Sequence, residues 1–221
     1  MIGNVRGESR TTIPGPAGLL EVALNLPSSE AEPRGIALVA HPHPQQGGTL
    51  DNKVAQTLAK TFATLGYVSV RLNFRGVGLS EGAFADGVGE TEDALAALAY
   101  ARGQFPALAA VPPVLAGFSF GTYVQTRVAR VVAPERMVLI APAVARFPTE
   151  PVPPDTIVIH GEEDDVVALT DVLAWARPQQ LPILVFPGCG HFFHGRLPQL
   201  QRAITGLFVG ANSFARRDSG D

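Results

Sequence analysis

The chain has 221 residues, of which 46% are hydrophobic and 17% charged, and its formal net charge is −3. This length and apolar content are enough for one large α/β domain. The slightly acidic balance gives no electrostatic reason to expect a nucleic acid or a membrane as a partner, and no apolar run reaches the roughly 20 residues of a membrane span. With one cysteine and no apolar signal-peptide stretch in residues 1–12, the chain is expected to be cytoplasmic.

The spacing of apolar residues predicts strands and helices in alternation. Residues 11–26 have the turn and the alternation of a β-hairpin, and residues 28–34 form a polar turn. Continuous apolar runs, typical of strands buried on both faces, follow at residues 35–40, 67–72, 113–116, 137–140, 156–159 and 183–186. Helical spacing recurs at residues 51–65, 91–102, 123–131, 168–176 and 197–209.

This alternation predicts a mostly parallel sheet with helices on both of its faces. In the helix at residues 91–102, the apolar side chains expected to face the core are Leu95, Leu98 and Ala99. Residues 1–210 are expected to form a single domain, and residues 211–221 a flexible polar tail.

One short motif lies between a predicted strand and a predicted helix: Gly117-Phe118-Ser119-Phe120-Gly121. In this context G-x-S-x-G predicts a turn so sharp that its serine adopts a strained backbone conformation, with glycines that let strand and helix approach. The serine hydroxyl then stands at the carboxyl edge of the sheet, beside the positive end of a helix. In a chain with 23 glycines the motif alone is weak evidence for a nucleophile. The residues that follow the other predicted strands are therefore needed to test this interpretation.

Chemically active side chains follow two further strands. Four carboxylates, at residues 162–165, come after the strand at 156–159, and His191 lies on the loop after the strand at 183–186. Because reactive groups in such sheets gather beyond the carboxyl ends of the strands, we expect these side chains to meet Ser119. Serine, acid and histidine occur in the chain order of the α/β-hydrolase triad.

The chain resembles the α/β-hydrolase superfamily from about residue 11 to residue 209, and it looks most like the small bacterial serine hydrolases that lack a cap. The motifs that carry the resemblance are His-Pro-His-Pro at 41–44, Asn-Phe-Arg-Gly-Val-Gly at 73–78, Gly-Phe-Ser-Phe-Gly at 117–121, His-Gly-Glu-Glu-Asp at 160–164 and Gly-His-Phe-Phe at 190–193. The resemblance implies an α/β-hydrolase fold, an eight-stranded sheet with only the second strand antiparallel, and hydrolysis of esters or thioesters.

Each triad role has a chemical reason. A serine hydroxyl is a poor nucleophile until a base takes its proton, so Ser119 is paired with His191, and His194 is the weaker candidate base. The acid must orient the imidazole without taking the proton itself. The hydrolase pattern His-Gly-x-x-Asp-x-x-Val favours Asp164 over Asp165.

Two backbone N–H groups are needed to stabilise the developing oxyanion. One should come from Phe120, the residue after the nucleophile, and the other from the loop after the strand at residues 35–40. The two prolines of that loop have no N–H to donate, which leaves His43 and Gln45. Alignment with the His-Gly-x motif of the hydrolases favours His43.

The site is expected to be open, with a shallow acyl pocket for short or modest chains. Larger hydrolases insert a lid before the acid-bearing strand, whereas residues 142–155 are rich in proline and too short for a helical cap. Arg75 is a candidate to contact an acidic substrate, with structural pairing as the alternative. The candidate apolar walls are Phe118, Phe120, Phe192 and Phe193.

Other site chemistries fit the sequence less well. The five histidines belong to separate strand ends, and the H-E-x-x-H metal motif is absent. Cys189 lies on the loop of His191 rather than at the nucleophile turn, which favours a packing role over a reactive thiol. The glycines at 76, 78 and 82 match neither a P-loop nor a dinucleotide motif. No metal and no organic cofactor are predicted.

The leading functional hypothesis is a serine hydrolase that cleaves small carboxylic esters or thioesters, with short-to-medium acyl groups, through an acyl-serine intermediate. The same triad also serves peptidases, acyltransferases and perhydrolases. A hypothesis of another class is a binding protein with the hydrolase fold and a non-catalytic triad. Such proteins typically lose a triad member, and this chain has all three.

Overall fold

Residues 7–27 and 32–215 are described by the computed structural model, and within them eight strands form one sheet flanked by five α-helices. The strands are β1 (Glu8–Gly15), β2 (Gly18–Asn25), β3 (Gly35–Ala40), β4 (Tyr67–Leu72), β5 (Val114–Phe118), β6 (Arg136–Ile140), β7 (Ile157–Gly161) and β8 (Ile183–Phe186). The helices are α1 (Lys53–Thr64), α2 (Val88–Gln104), α3 (Phe120–Val128), α4 (Leu169–Ala176) and α5 (Leu197–Ala215).

The strand order in the sheet is β1-β2-β4-β3-β5-β6-β7-β8. Strand β2 runs antiparallel to both of its neighbours, and β3 to β8 pair in parallel. The predicted N-terminal hairpin and the single antiparallel second strand are therefore confirmed. The chain has the α/β-hydrolase fold that its sequence indicates.

Apolar side chains fill the space on both faces of the sheet. Along β3 the pleat sends Leu38 to the face covered by α2 and α3, and Val39 to the face covered by α1 and α5. Every residue of β3 is buried. This two-sided burial explains why the central strands are continuous apolar runs rather than alternating ones.

The helices differ from the predictions mainly at their ends. Helix α2 begins at Val88, three residues before the predicted start, and it buries Leu98 but leaves Ala99 exposed, so the prediction that Ala99 faces the core is wrong. Helix α5 continues past residue 209 to Ala215, into the segment predicted to be a tail. Residues 28–31 of the predicted polar turn and residues 216–221 of the tail lie outside the described residues.

The connection between β6 and β7 contains no helix, and no cap formed by residues 7–27 or 32–215 covers the carboxyl edge of the sheet. This agrees with the short, proline-rich segment in the sequence. None of the helices described here is both long and apolar enough to cross a membrane.

Candidate active site

Ser119 lies at the sharp turn between β5 and α3. Its backbone angles are φ 53° and ψ −120°, a conformation that residues other than glycine rarely adopt. The close approach at this turn requires glycine, because a Cβ at Gly121 would lie 2.4 Å from the carbonyl oxygen of Ala40. The strained geometry predicted for the serine is therefore present.

Three side chains from three different loops are connected in series at this point. His191 Nε2 lies 3.0 Å from Ser119 Oγ, and His191 Nδ1 lies 2.7 Å from the Oδ2 atom of Asp164. All three residues are buried, with Ser119 7% exposed. The structure thus brings together the serine, the histidine and the acid selected from the sequence.

Asp164 is fixed by hydrogen bonds to both of its oxygens. Oδ1 accepts the backbone N–H groups of Val166 (2.9 Å) and Val167 (2.8 Å), while Oδ2 faces His191. Burial raises the pKa of the Asp164 carboxyl, but the hydrogen bonds from His191 and these two N–H groups outweigh burial, and the net pKa lies below its usual value. The group is therefore ionised at neutral pH, whereas Asp165 beside it is exposed to solvent.

The loops that carry the acid and the histidine touch each other at Gly161. A Cβ at this position would lie 2.3 Å from the carbonyl oxygen of Cys189, and the Glu163 N–H donates to the same oxygen at 3.0 Å. Cys189 is buried, and burial raises the pKa of its thiol. These contacts agree with a packing role for Cys189 and not with a reactive thiolate.

His160 supports the acid loop, a role that the sequence analysis did not assign. Its Nε2 donates to the carbonyl oxygen of Val167 (2.9 Å) and lies 3.6 Å from Asp164 Oδ2. Burial lowers the pKa of His160, so the ring is neutral and its contact with Asp164 is not an ion pair. The position of this histidine at the start of the His-Gly-x-x-Asp motif was the available sequence signal.

Two backbone N–H groups beside Ser119 donate to no other group of the described chain: those of His43 and Phe120. The other candidate from the sequence, the N–H of Gln45, donates to His43 Nδ1 at 3.2 Å. A short 3-10 turn, Pro44–Gln46, follows His43. Gln45 is therefore occupied, and the two predicted oxyanion donors are available.

The surface cleft above Ser119 has a volume of about 60 Å³. It is lined by His43, His191, Phe192 and also by Asn52 and Val166, which the sequence analysis missed. The Asn52 side chain caps α1, because its Oδ1 accepts the N–H groups of two residues in the first helical turn. An asparagine directly before a helix was a signal that could have placed it at this edge.

The predicted apolar walls are only partly correct. Phe192 is 45% exposed and lines the cleft, whereas Phe118 and Phe193 are fully buried in the core beneath it. Phe118 instead packs against the imidazole of His191, with 4.9 Å between ring centroids. Phe120 is also fully buried. Strand β5, which carries Phe118, is buried at every position. On the loop of His191, Phe192 faces the surface and Phe193 the core, which the aromatic composition alone did not indicate.

Arg75 pairs with protein carboxylates instead of facing the cleft. Its Nε and Nη2 donate to the two oxygens of the buried Asp93 (3.0 and 2.9 Å), and Nη2 also reaches Glu92 at 3.2 Å. Hydrogen bonding to Asp93 raises the pKa of Arg75, against the lowering effect of burial. The proposed contact with an acidic substrate therefore gives way to the structural alternative.

The remaining histidines have other surroundings. His194, the alternative base, is exposed and stacks on Phe192. His41 is fully buried; its Nδ1 donates to the carbonyl of Pro42 and its Nε2 accepts the N–H of Phe74, and burial lowers its pKa to about 4. Across the part of the chain that the structure describes, no three His, Cys, Asp or Glu side chains are placed to hold a metal ion.

Comparisons with known proteins agree with this architecture. Residues 18–151 match the X-Pro dipeptidyl-peptidase (S15) family, a match that includes Ser119 and ends before Asp164. An uncharacterized protein of Rickettsia prowazekii is 32% identical over 209 residues, covering 88% of this chain and 86% of that protein.

Two solved structures are similar over almost their whole length. An α/β serine hydrolase without a lid from Xanthomonas campestris has 36% identity, a TM-score of 0.85 and 95% coverage of both chains. An α/β serine hydrolase homologue from Coxiella burnetii has 37% identity and a TM-score of 0.79, covering 89% of this chain and 95% of that one. With a family match over more than half of its length and these relatives, the chain belongs to the S15 family of the α/β-hydrolase superfamily.

Proposed function

We propose that the chain is a serine hydrolase that cleaves small carboxylic esters or thioesters, with short-to-medium acyl groups, through an acyl-serine intermediate. The observation that carries the proposal is the series of contacts from Ser119 Oγ to His191 Nε2 (3.0 Å) and from His191 Nδ1 to Asp164 (2.7 Å). This is the arrangement that allows one side chain to accept the proton of a nucleophilic hydroxyl while a carboxylate stabilises the resulting imidazolium.

In the proposed reaction, Ser119 Oγ bonds to the carbonyl carbon of the substrate while its proton moves to His191 Nε2. The carbonyl oxygen becomes an oxyanion, which the N–H groups of His43 and Phe120 stabilise. The C–O or C–S bond to the leaving group then breaks, and His191 protonates the departing alcohol or thiol. Water then bonds to the acyl carbon while His191 takes its proton, the bond from that carbon to Ser119 Oγ breaks, and His191 returns the proton to Oγ as the acid leaves.

The size of the cleft supports small acyl groups. Its volume of about 60 Å³ is well below the roughly 300 Å³ at which the usual range of small-molecule pockets begins. A larger open depression of about 430 Å³ shares His191 and Phe192 with the cleft. We assign the cleft to the acyl group and the depression to the leaving group.

A peptidase is the second candidate, because the family match carries the description X-Pro dipeptidyl-peptidase. Such an enzyme must hold a proline and a second residue on the acyl side of the scissile bond. The cleft volume favours a small ester over this larger acyl group. A direct comparison of p-nitrophenyl acetate with Ala-Pro-p-nitroanilide separates the two candidates.

The decisive experiment uses p-nitrophenyl esters from acetate upward with the wild-type protein, Ser119→Ala and Ser69→Ala. Ser69 is the matched control, since it is also a buried serine, but it lies within β4 and its hydroxyl has no hydrogen-bond partner among the described residues. We expect Ser119→Ala to lose activity by orders of magnitude, Ser69→Ala to retain it, and the rate to fall with chain length.

Equal activity in wild type and Ser119→Ala would disprove the mechanism. Hydrolysis of the anilide without hydrolysis of the acetate would favour the peptidase hypothesis over the esterase hypothesis. Hydrolysis of neither substrate would favour the hypothesis of a binding protein. We also propose a cytoplasmic location, supported by the single cysteine of the chain.

A further inference from the structure

The side chain of His43 contacts both parts of the chain that supply the oxyanion donors. Its own N–H is one donor, on the loop after β3, and the second donor is the N–H of Phe120 at the start of α3. The His43 ring lies 5.1 Å from the Phe120 ring, measured between centroids. The same ring accepts the N–H of Gln45 at Nδ1.

The hydrogen bond from Gln45 fixes the backbone around His43. The carbonyl oxygen of His43 also accepts the N–H groups of Gln46 and Gly48, both at 3.0 Å. Both the side chain and the backbone carbonyl of His43 therefore accept hydrogen bonds from the turn that follows it. Because the Gln45 N–H is bound to the ring, it does not compete with the His43 N–H as a donor into the cleft.

The ring contact with Phe120 belongs to an aromatic cluster, which consists of His43, Phe84, Phe120 and Phe147. Ring centroids in the cluster lie 4.8 Å (His43–Phe84), 5.9 Å (His43–Phe147), 5.6 Å (Phe84–Phe120) and 5.0 Å (Phe120–Phe147) apart.

Two of the three neighbours of His43 in the cluster, Phe84 and Phe147, are held from outside it. The buried carboxylate of Glu90 accepts the N–H groups of Ala85 and Gly87 and so orders the segment next to Phe84. Phe147 stacks on Tyr123 of α3 at 5.0 Å.

Preorganised donors stabilise an oxyanion only if their spacing is maintained, and a displacement of about 1 Å can reduce the rate about 100-fold. We propose that the His43 imidazole is a positioning residue that sets the N–H groups of His43 and Phe120 relative to each other, through its hydrogen bond with Gln45 and its ring contact with Phe120. This inference rests on the proposed hydrolase function. It concerns the side chain of His43, whereas the proposed donor is its backbone.

The positioning role requires a neutral ring, because a protonated Nδ1 cannot accept a hydrogen bond. Burial, followed by the charge of Arg146, lowers the pKa of His43, and Glu90 and Asp86 oppose this shift. The net effect keeps the acceptor available at neutral pH. Protonation in acid should break the hydrogen bond with Gln45.

Three substitutions separate the two contacts. His43→Asn retains an acceptor for the Gln45 N–H, because asparagine accepts this bond at the start of helical turns, but it lacks the ring. His43→Phe retains a ring and loses the acceptor, and His43→Ala loses both. Gln104→Ala is the control, since it removes an exposed glutamine side chain at the end of α2, outside this turn.

The kinetics of p-nitrophenyl acetate hydrolysis test the proposal. We expect His43→Ala to lower kcat about 10-fold to 100-fold with less than about a threefold change in KM. The Asn and Phe variants should fall between it and the wild type, and Gln104→Ala should match the wild type. Inhibition by 1,1,1-trifluoro-2-hexanone, whose adduct with serine carries an oxyanion, should weaken in proportion to the loss of kcat/KM. In a plot of kcat against pH, the decrease on the acidic side should involve one more protonation step in the wild type than in His43→Asn.

A kcat for His43→Ala within twofold of the wild type, or inhibitor binding that stays constant while kcat falls, would overturn the proposal. If His43→Ala does not fold, as judged by its thermal melting, the Asn and Phe variants decide in the same way. Failure of the hydrolase function is distinct, because wild type and Ser119→Ala would then give the same rate, and the positioning role would fall with it.

Discussion

Asp164 holds His191 through one carboxylate oxygen while two backbone N–H groups bind the other: Oδ2 lies 2.7 Å from His191 Nδ1, and Oδ1 accepts from Val166 and Val167. The carboxylate therefore cannot turn without losing hydrogen bonds. This arrangement determines which tautomer the histidine adopts, with the proton on Nδ1 and the lone pair of Nε2 directed toward Ser119.

The first prediction concerns Asp164→Asn. The two backbone N–H groups demand an oxygen, so the amide must place its NH2 group toward His191 and force the proton of the neutral ring onto Nε2. This tautomer cannot accept the proton of Ser119, and we expect kcat for p-nitrophenyl acetate to fall about 10³-fold to 10⁴-fold. Asp165→Asn, on the exposed neighbour, should leave kcat unchanged; the reverse result would assign the acid to Asp165.

The second prediction concerns stability in acid. Because the pKa of Asp164 is lower in the folded state than its ordinary value of about 3.9, its ionisation stabilises the fold above that value, and this contribution is lost as the pH falls through the depressed folded pKa. The difference in unfolding free energy between wild type and Asp164→Asn should therefore shrink as the pH falls below about 4. Urea unfolding at a series of pH values measures it, and a constant difference would contradict the assignment.

The third prediction concerns the backbone strain at Ser119. At φ 53° and ψ −120°, alanine retains the strain and glycine relieves it, while both remove the hydroxyl that contacts His191. Ser119→Gly should be more stable than Ser119→Ala by about 1 kcal/mol, and both should be inactive. Thermal or urea unfolding of the two variants side by side checks this, and equal stability would show that the turn stores no strain.

The fourth prediction concerns Arg75. Its removal leaves the carboxylate of Asp93, which is 1% exposed, without its charged partner, so Arg75→Met should lower the unfolding free energy by about 3 kcal/mol. Glu92→Gln, on the exposed side of the same arginine, should cost less than about 1 kcal/mol. KM for neutral and anionic p-nitrophenyl esters should stay the same in folded Arg75→Met; a selective rise in KM for the anionic ester would mean that Arg75 contacts substrate.

Helix α2 illustrates where pattern and structure diverge. Its buried face includes Glu90 and Asp93, which are satisfied by backbone N–H groups and by Arg75. Arg75 comes from the loop after β4, so the local sequence gives no sign that Asp93 faces inward. Glu90 instead binds the N–H groups of Ala85 and Gly87, directly before the helix. The blurred apolar stripe that results explains both the late predicted start of the helix and the misplaced Ala99.

The order of elements, the nucleophile turn and the strand ends that carry the serine, the carboxylates and the histidine followed from the sequence. They depend on local features: apolar periodicity, glycine at a tight turn, and the position of polar residues directly after buried strands. The choice of Asp164 among the four carboxylates came from the resemblance to the hydrolases. Tertiary structure alone decided which phenylalanines reach the cleft, that Arg75 pairs with Asp93, and that the His43 ring contacts Phe120. These contacts join segments far apart in the chain, and their geometry is set by how the loops pack after the sheet has formed.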